Sequence, residues 1–314
     1  MKTRIFIVIL MIIFCSSLYG QVQVGQGIND FYQKAPEFHN LALLPLHSVP
    51  AVSLFGNTRM DGFEKHPMNA SLLCSGFLID HLGAGLKINY QTIGLSTQTD
   101  IQLGLAYYVF LSKPTDEKKG GDKFSFFLAG NFTLDGIQKK NILVIYQNDP
   151  MLDAIRNFNP SMNASAGIAF LRENKYYAGV SANQLFPTET NFGNPILENK
   201  KERCYYFLGS YIFPLSQKKN LDLEVNGIGS TSNFSYWEWQ ASLDFRFLKM
   251  FSLGTGVKSN GCLKFNLGIT AQSWDFGYMC GFGLWNPSTA HTYQSMENGI
   301  FVRKIFNEGR RNKK

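Results

Sequence analysis

The sequence predicts an all-β chain, a transmembrane antiparallel β-barrel of about fourteen strands (roughly twelve to sixteen) with a short plug-like segment at its N-terminus. Three observations predict it. In residues 234–247, Trp237, Trp239, Ala241, Leu243, Phe245 and Phe247 share one parity, while Tyr236, Glu238, Gln240, Ser242, Asp244 and Arg246 share the other. Side chains alternate across a strand, so this stretch has one apolar and one polar face, whereas a helix would scatter charges among its aromatics. The alternation then returns along most of the chain. Finally, aromatic residues make up 14% of the sequence, with 27 Phe and 14 Tyr, the enrichment that lipid-facing bands and aromatic girdles demand.

Residues 1–20 read as a secretory signal: Lys2 and Arg4 precede the apolar run Ile5–Phe14, and small residues lead to a polar start at Gln21. The run is too short for a membrane-spanning helix, and bulky Phe14 before Cys15 argues against a lipoprotein. Residues 21–49 do not alternate and read as a plug or periplasmic segment. Residues 50–306 form the barrel, and residues 307–314 are a basic tail. The formal charge of +7 overstates the basicity of the barrel. The signal contributes +2 and the tail +3, leaving +2 for residues 21–306 and no patch for a nucleic acid.

The strands follow in order. Val52–Thr58 opens the series and Met68–Ile79 continues it. Leu86, Ile88 and Tyr90 then alternate with Lys87, Asn89 and Gln91, followed by runs at Ile101–Val109 and Phe124–Phe132. Residues 134–160 break the rhythm with Asn148-Asp149-Pro150 and Asn159-Pro160, which is turn chemistry. Ser161–Leu171 and Lys175–Ala182 flank a tight turn, and Pro187–Lys201 is a second long loop. Arg203–Phe213, Leu221–Asn226 and residues 234–247 follow, then Phe251–Lys258, Leu263–Thr270, Ser273–Gly283 and Tyr293–Phe306. An even strand number puts both ends of the sheet on the periplasmic side.

The lipid-facing set is Trp237, Trp239, Leu243, Phe245, Phe247, Leu263, Phe265 and Leu267. The lumen-facing set is Glu238, Gln240, Asp244, Arg246, Asp222 and Glu224. These charges are too many for a sandwich core, and they point to a wet lumen. The last strand carries Gly299, Phe301 and Phe306 in the manner of an outer-membrane insertion signal, although Asn307–Lys314 follow it.

Catalysis has little support. The histidines His39, His47, His66, His81 and His291 show no metal spacing and no nucleophile in a recognised setting. Glu238 and Asp244 lie six residues apart on one strand, about 20 Å in extended chain, too far for paired glycosidase carboxylates. No cofactor is expected. Cys74, Cys204, Cys262 and Cys280 match no metal pattern, and spacing alone dictates no bridge.

Several motifs resemble the PorP/SprF family of type IX secretion system outer-membrane proteins. They are Gly62-Phe63-Glu64-Lys65-His66-Pro67, Leu82-Gly83-Ala84-Gly85-Leu86, Asn148-Asp149-Pro150, the paired strands from Asn159-Pro160-Ser161 to Gly167 and from Lys175 to Leu185 with Gly179-Val180-Ser181, and Lys201–Phe213. The resemblance spans roughly residues 25–306. It departs where the family has N-P-A-Y, here Asn40-Leu41-Ala42-Leu43, and where it has a His-Glu pair, here the separated His291 and Glu297. It implies an outer-membrane location in a Gram-negative bacterium and a role in protein secretion and gliding motility. The implied partners are periplasmic components of the machine and a secreted cargo such as a large adhesin with a type B C-terminal signal. An outer-membrane channel for small or hydrophobic solutes is the alternative. A soluble secreted sandwich is a third reading.

Overall fold

The computed structural model describes residues 28, 30–47, 49–59, 66–112, 121–138, 158–190, 199–216, 220–283 and 296–306. The expected signal, the Asn148-Asp149-Pro150 motif, residues 62–65, His291 and the basic tail lie outside the described residues. Two short 3-10 turns, Pro36–Phe38 and Leu41–Leu46, precede the strands. The strands are β1 (Ala51–Arg59), β2 (Met68–Ile79), β3 (Leu82–Ile93), β4 (Ser96–Phe110), β5 (Lys123–Ile137), β6 (Phe158–Arg172) and β7 (Tyr176–Asn183). After β8 (Thr188–Thr190) and β9 (Asn199–Lys201) come β10 (Cys204–Ser216), β11 (Leu221–Ser232), β12 (Tyr236–Phe247), β13 (Phe251–Lys258), β14 (Cys262–Ala271), β15 (Trp274–Gly283) and β16 (Met296–Ile305).

Fourteen of these strands pair antiparallel, each with its chain neighbour, and close when β1 pairs with β16 from Ala51↔Ile305 to Arg59↔Glu297. The fourteen-stranded barrel expected from the alternation is the one observed. β8 and β9 form a separate hairpin inside the second long loop, which the sequence reading treats as irregular. Their three-residue polar strands carry no alternation to read. β10 runs past the expected end at Phe213 because a register shift between Pro214 and Ser216 accommodates the proline, which cannot donate to a ladder.

Connections differ between the two ends of the barrel. One end holds the turns β2–β3, β6–β7, β12–β13 and β14–β15 and the longer β4–β5 link, together with the start of β1 and the end of β16. The other holds the short turns β3–β4, β11–β12 and β13–β14 and the three longest links, β5–β6, β7–β10 and β15–β16. Short turns mark the periplasmic side in outer-membrane barrels and longer loops the outside.

The two parities separate as alternation requires. On the outer wall Trp237, Leu243, Phe245, Phe247, Phe265 and Leu267 are exposed, and Trp239 and Leu263 half-buried. On the inner wall Gln240, Asp244 and Glu224 are buried, and Glu238, Arg246 and Asp222 half-buried. All four cysteines are free; Cys204 and Cys262 are buried and Cys74 and Cys280 half-buried. The lumen differs from the wet, polar interior expected. Phe55, Leu73, Phe127, Met279 and Phe301 join a buried cluster with Ile28, Phe31, Tyr32, Phe38 and Leu41–Leu44 from the N-terminal segment. The core of this protein sits inside the barrel.

We propose that the exposed apolar parity faces lipid. Phe265→Arg then costs about 2–4 kcal/mol near the bilayer midplane, read from denaturant unfolding in lipid vesicles. Unchanged stability and insertion would count against that orientation.

Candidate functional site: the filled lumen

Residues 30–47 occupy the lumen. The segment has little regular structure beyond its turns, and those of its buried backbone groups that find no partner within the turns need one from elsewhere. The inner wall supplies them. Lys87 Nζ donates to Phe38 O (3.3 Å), Lys123 Nζ to Pro45 O (3.2 Å) and Ser181 Oγ to His39 O (2.8 Å). Asn40 works in both directions. Its Oδ1 accepts from the Ala42 N–H and caps the second turn, while its Nδ2 donates to Ile168 O (3.0 Å) and Val180 O (3.2 Å) on β6 and β7.

The opposite wall holds the segment by charge. Asp30 is fully buried, with Lys264 Nζ 2.6 Å and Lys258 Nζ 2.7 Å from its Oδ1, and Asn57 Nδ2 donating to its Oδ2 at 2.8 Å. Lys258 also pairs with Glu297. Burial by itself would raise the Asp30 pKa, but Lys258, Lys264 and Arg59 together outweigh it and hold the carboxyl well below the usual range. Nearer the periplasmic end, Arg303 pairs with Glu37, donates to Ser53 Oγ (3.0 Å) and Lys34 O (2.9 Å), and lies 3.1 Å from His47 Nε2. Lys34 Nζ in turn donates to Ser252 Oγ at 2.8 Å, and Tyr32 and Ser242 share a hydroxyl–hydroxyl bond of 3.2 Å.

Small residues make the room. An added Cβ at Gly85 or Gly104 would stand 2.7 or 2.6 Å from a Leu41 methyl, and one at Gly179 would stand 2.7 Å from Asn40 Nδ2. At Gly299 it would come within 2.9 Å of the Phe31 ring, which stacks on Phe301 at 5.6 Å. Glycine inside a strand here marks the close approach of another chain segment.

Of the residues expected in the lumen, Ser242-bonded Asp244 and Arg246-paired Glu224 lie in one polar patch with Asn226. Gln240 is buried nearby, and Glu238 and Asp222 flank the patch along β12 and β11. None of these six hydrogen-bonds or ion-pairs with the segment itself in the described bonds. Residues that do include Lys87, Lys123, Ser181, Lys258, Lys264 and Arg303, which the sequence does not single out as a group. Gly299 and Phe301, expected in an insertion signal, point inward onto Phe31, and Phe306 is exposed just past β16, its N–H donating to Pro50 O.

Closed pairing, an apolar outer wall and an interior filled by the N-terminal segment define a plugged outer-membrane β-barrel. The chain belongs to the family described as type IX secretion system membrane protein PorP/SprF, whose model matches residues 27–298. No curated protein matches it. Among solved structures, a Pseudomonas aeruginosa FadL homologue is 8% identical over 85% of this chain and 92% of its own, with a TM-score of 0.49. The Acinetobacter baumannii outer-membrane protein Omp33 is 7% identical over 83% and 100%, TM-score 0.43, and the NanC porin 8% identical over 81% and 98%, TM-score 0.39.

Two outcomes follow from the geometry. Asp30→Asn leaves the buried Lys264 without a counter-charge and Lys258 with Glu297 alone, and breaking a buried pair this way costs about 3–5 kcal/mol; denaturant unfolding in detergent reads the loss. His39 is governed by burial, which together with the nearby Lys87 pushes its imidazole down to about 3. The unfolded chain takes a proton at His39 below roughly pH 6.5 while the folded one does not, so stability is lost as pH falls from there toward 3. Relative to His39→Gln, the native protein should weaken by up to about 1.4 kcal/mol per pH unit in that window and show no such trend above pH 7. Unfolding midpoints of both proteins at pH 8, 6.5 and 5 give the comparison.

Proposed function

We propose that this barrel is a non-catalytic accessory of the type IX machinery that aids secretion or surface anchoring of a cargo protein, such as a large adhesin with a type B C-terminal signal. Its partners in this reading are the cargo and periplasmic components of the machine. The observation that carries it is the lumen filled by residues 30–47, gripped from both walls. A barrel so occupied offers partners its rims and outer wall rather than a conduit. That favours docking over the alternative, a channel for small or hydrophobic solutes. The non-catalytic reading fits the use made of the buried carboxylates: among the described residues Asp30, Glu37, Asp135, Glu224 and Glu297 are engaged in ion pairs, and Asp244 is hydrogen-bonded to Ser242 and Asn226.

Deleting the gene in the native host should leave the adhesin inside the cells or lost from their surface, with both restored by complementation. In planar bilayers the purified barrel should stay closed, and deletion of residues 21–47 should produce steady conductance. Normal adhesin display in the deletion strain, together with solute conductance through the intact protein, would overturn the proposal.

A further inference from the structure

Between the underside of the plug and the periplasmic turns lies a cavity of about 580 Å³. The plug residues Gln33 and Lys34 form part of its roof, Tyr177 and Ser210 part of its wall, and the turn residues Lys175 and Lys249 stand at its mouth. Both lysines are exposed, so the cavity opens on the periplasmic side.

Two of its polar groups are built in but unused. Gln33 is only 5% exposed, yet neither Nε2 nor Oε1 has a hydrogen-bond partner. Tyr177 is 7% exposed and its hydroxyl likewise has none. Leaving such groups unpaired costs about 1–3 kcal/mol each; the amides of Gln240 and Asn266 elsewhere on the inner wall are also unpaired, but Gln33 and Tyr177 line this cavity. A free primary amide offers one acceptor and a donor side by side, which is the complement of a peptide group. The charges around it run both ways. Arg172, Arg246 and Arg303 are spent on Asp122, Glu224 and Glu37, whereas Lys175 and Lys249 at the mouth, and Asp222 and Asp275 on the wall, form no ion pair among the described residues.

We propose that this cavity is a binding site for a short stretch of polypeptide presented from the periplasm. Gln33 and Tyr177 pair with its backbone amides, and the unspent lysines and aspartates receive side chains of either sign. The inference rests on the secretion reading above for the source of the peptide, and on geometry for the site.

The test uses full-length protein in detergent and, as probe, a pool of blocked hexapeptides (N-acetyl, C-amide) of mixed composition, with retention measured by equilibrium dialysis and mass spectrometry. The native protein should enrich a subset of the pool. Gln33→Leu and Tyr177→Phe should each lower that enrichment about tenfold, the loss expected for a hydrogen bond worth 1.4 kcal/mol. Lys249→Glu, which alters only the exposed mouth, should shift the retained set away from acidic peptides without touching the interior, so a folding defect in the buried variants does not decide the matter. Retention of no peptide by the native protein, or equal retention by all three variants, overturns the site. Loss of peptide binding in Gln33→Leu with adhesin secretion unimpaired supports the site and removes the adhesin as its source. Absence of peptide binding alongside failed secretion in the deletion strain overturns the site and leaves the secretion reading standing.

Discussion

The carboxylate of Asp30 between Lys258 and Lys264 is the interaction on which the interior depends. Fourteen strands enclose more space than inward side chains fill, and an inner wall carrying lysines and an arginine at buried positions is expensive unless each finds a counter-charge. The wall does not meet that demand alone. The N-terminal segment brings Asp30 and Glu37 to the cations of β13, β14 and β16, and bare carbonyls to the donors of β3, β5 and β7. One wall is bound by charge, the other by hydrogen bonds to irregular backbone. Packing of Phe31, Phe38 and Leu41 against inward aromatic and aliphatic groups then closes the remaining space.

Much of the barrel was legible because period-two alternation is a local property. Residues 236–247 could be assigned to two faces without knowledge of any partner strand, and from Gln240 to Phe247 more buried and exposed side chains alternate in the same register. The plug was not legible for the opposite reason. Residues 30–47 have no period, since 3-10 turns of three and six residues, one containing Pro45, leave no repeating face. Their partners lie far away in sequence: Asp30 and Lys264 are separated by 234 residues, Glu37 and Arg303 by 266. Lys264 alternates with Leu263 and Phe265 like any polar-face residue, and only closure of the sheet shows that it meets an anion.

The motifs that carry the family resemblance acquire a physical meaning in this light. Gly85, from Leu82-Gly83-Ala84-Gly85-Leu86, is the hollow for Leu41. Gly179 and Ser181, from the Gly-x-Ser stretch, receive Asn40 and the His39 carbonyl. Tyr206, from the Lys201–Phe213 strand, lies with its ring 4.9 Å from that of His39. Asn40 itself stands where the family has N-P-A-Y, and it is the residue of Asn40-Leu41-Ala42-Leu43 whose side chain ties the turn to β6 and β7. Read as sequence, these were strand signatures. In the folded chain they are sockets for one segment.

The position of the plug also bears on how such a chain closes on itself. The seam joins β1 to β16, which are about 250 residues apart, and bringing together the ends of so long a loop costs roughly 5 kcal/mol in chain entropy before any ladder bond forms. The plug is separated from β1 by residues 48–50 alone, and it holds β16 through Arg303 and Phe301. Arg303 reaches Ser53 of β1 in the same cluster. A segment anchored beside the first strand and adhesive to the last shortens the search for that final pairing, so the residues that occlude the finished lumen also act as the clasp that guides the cylinder shut.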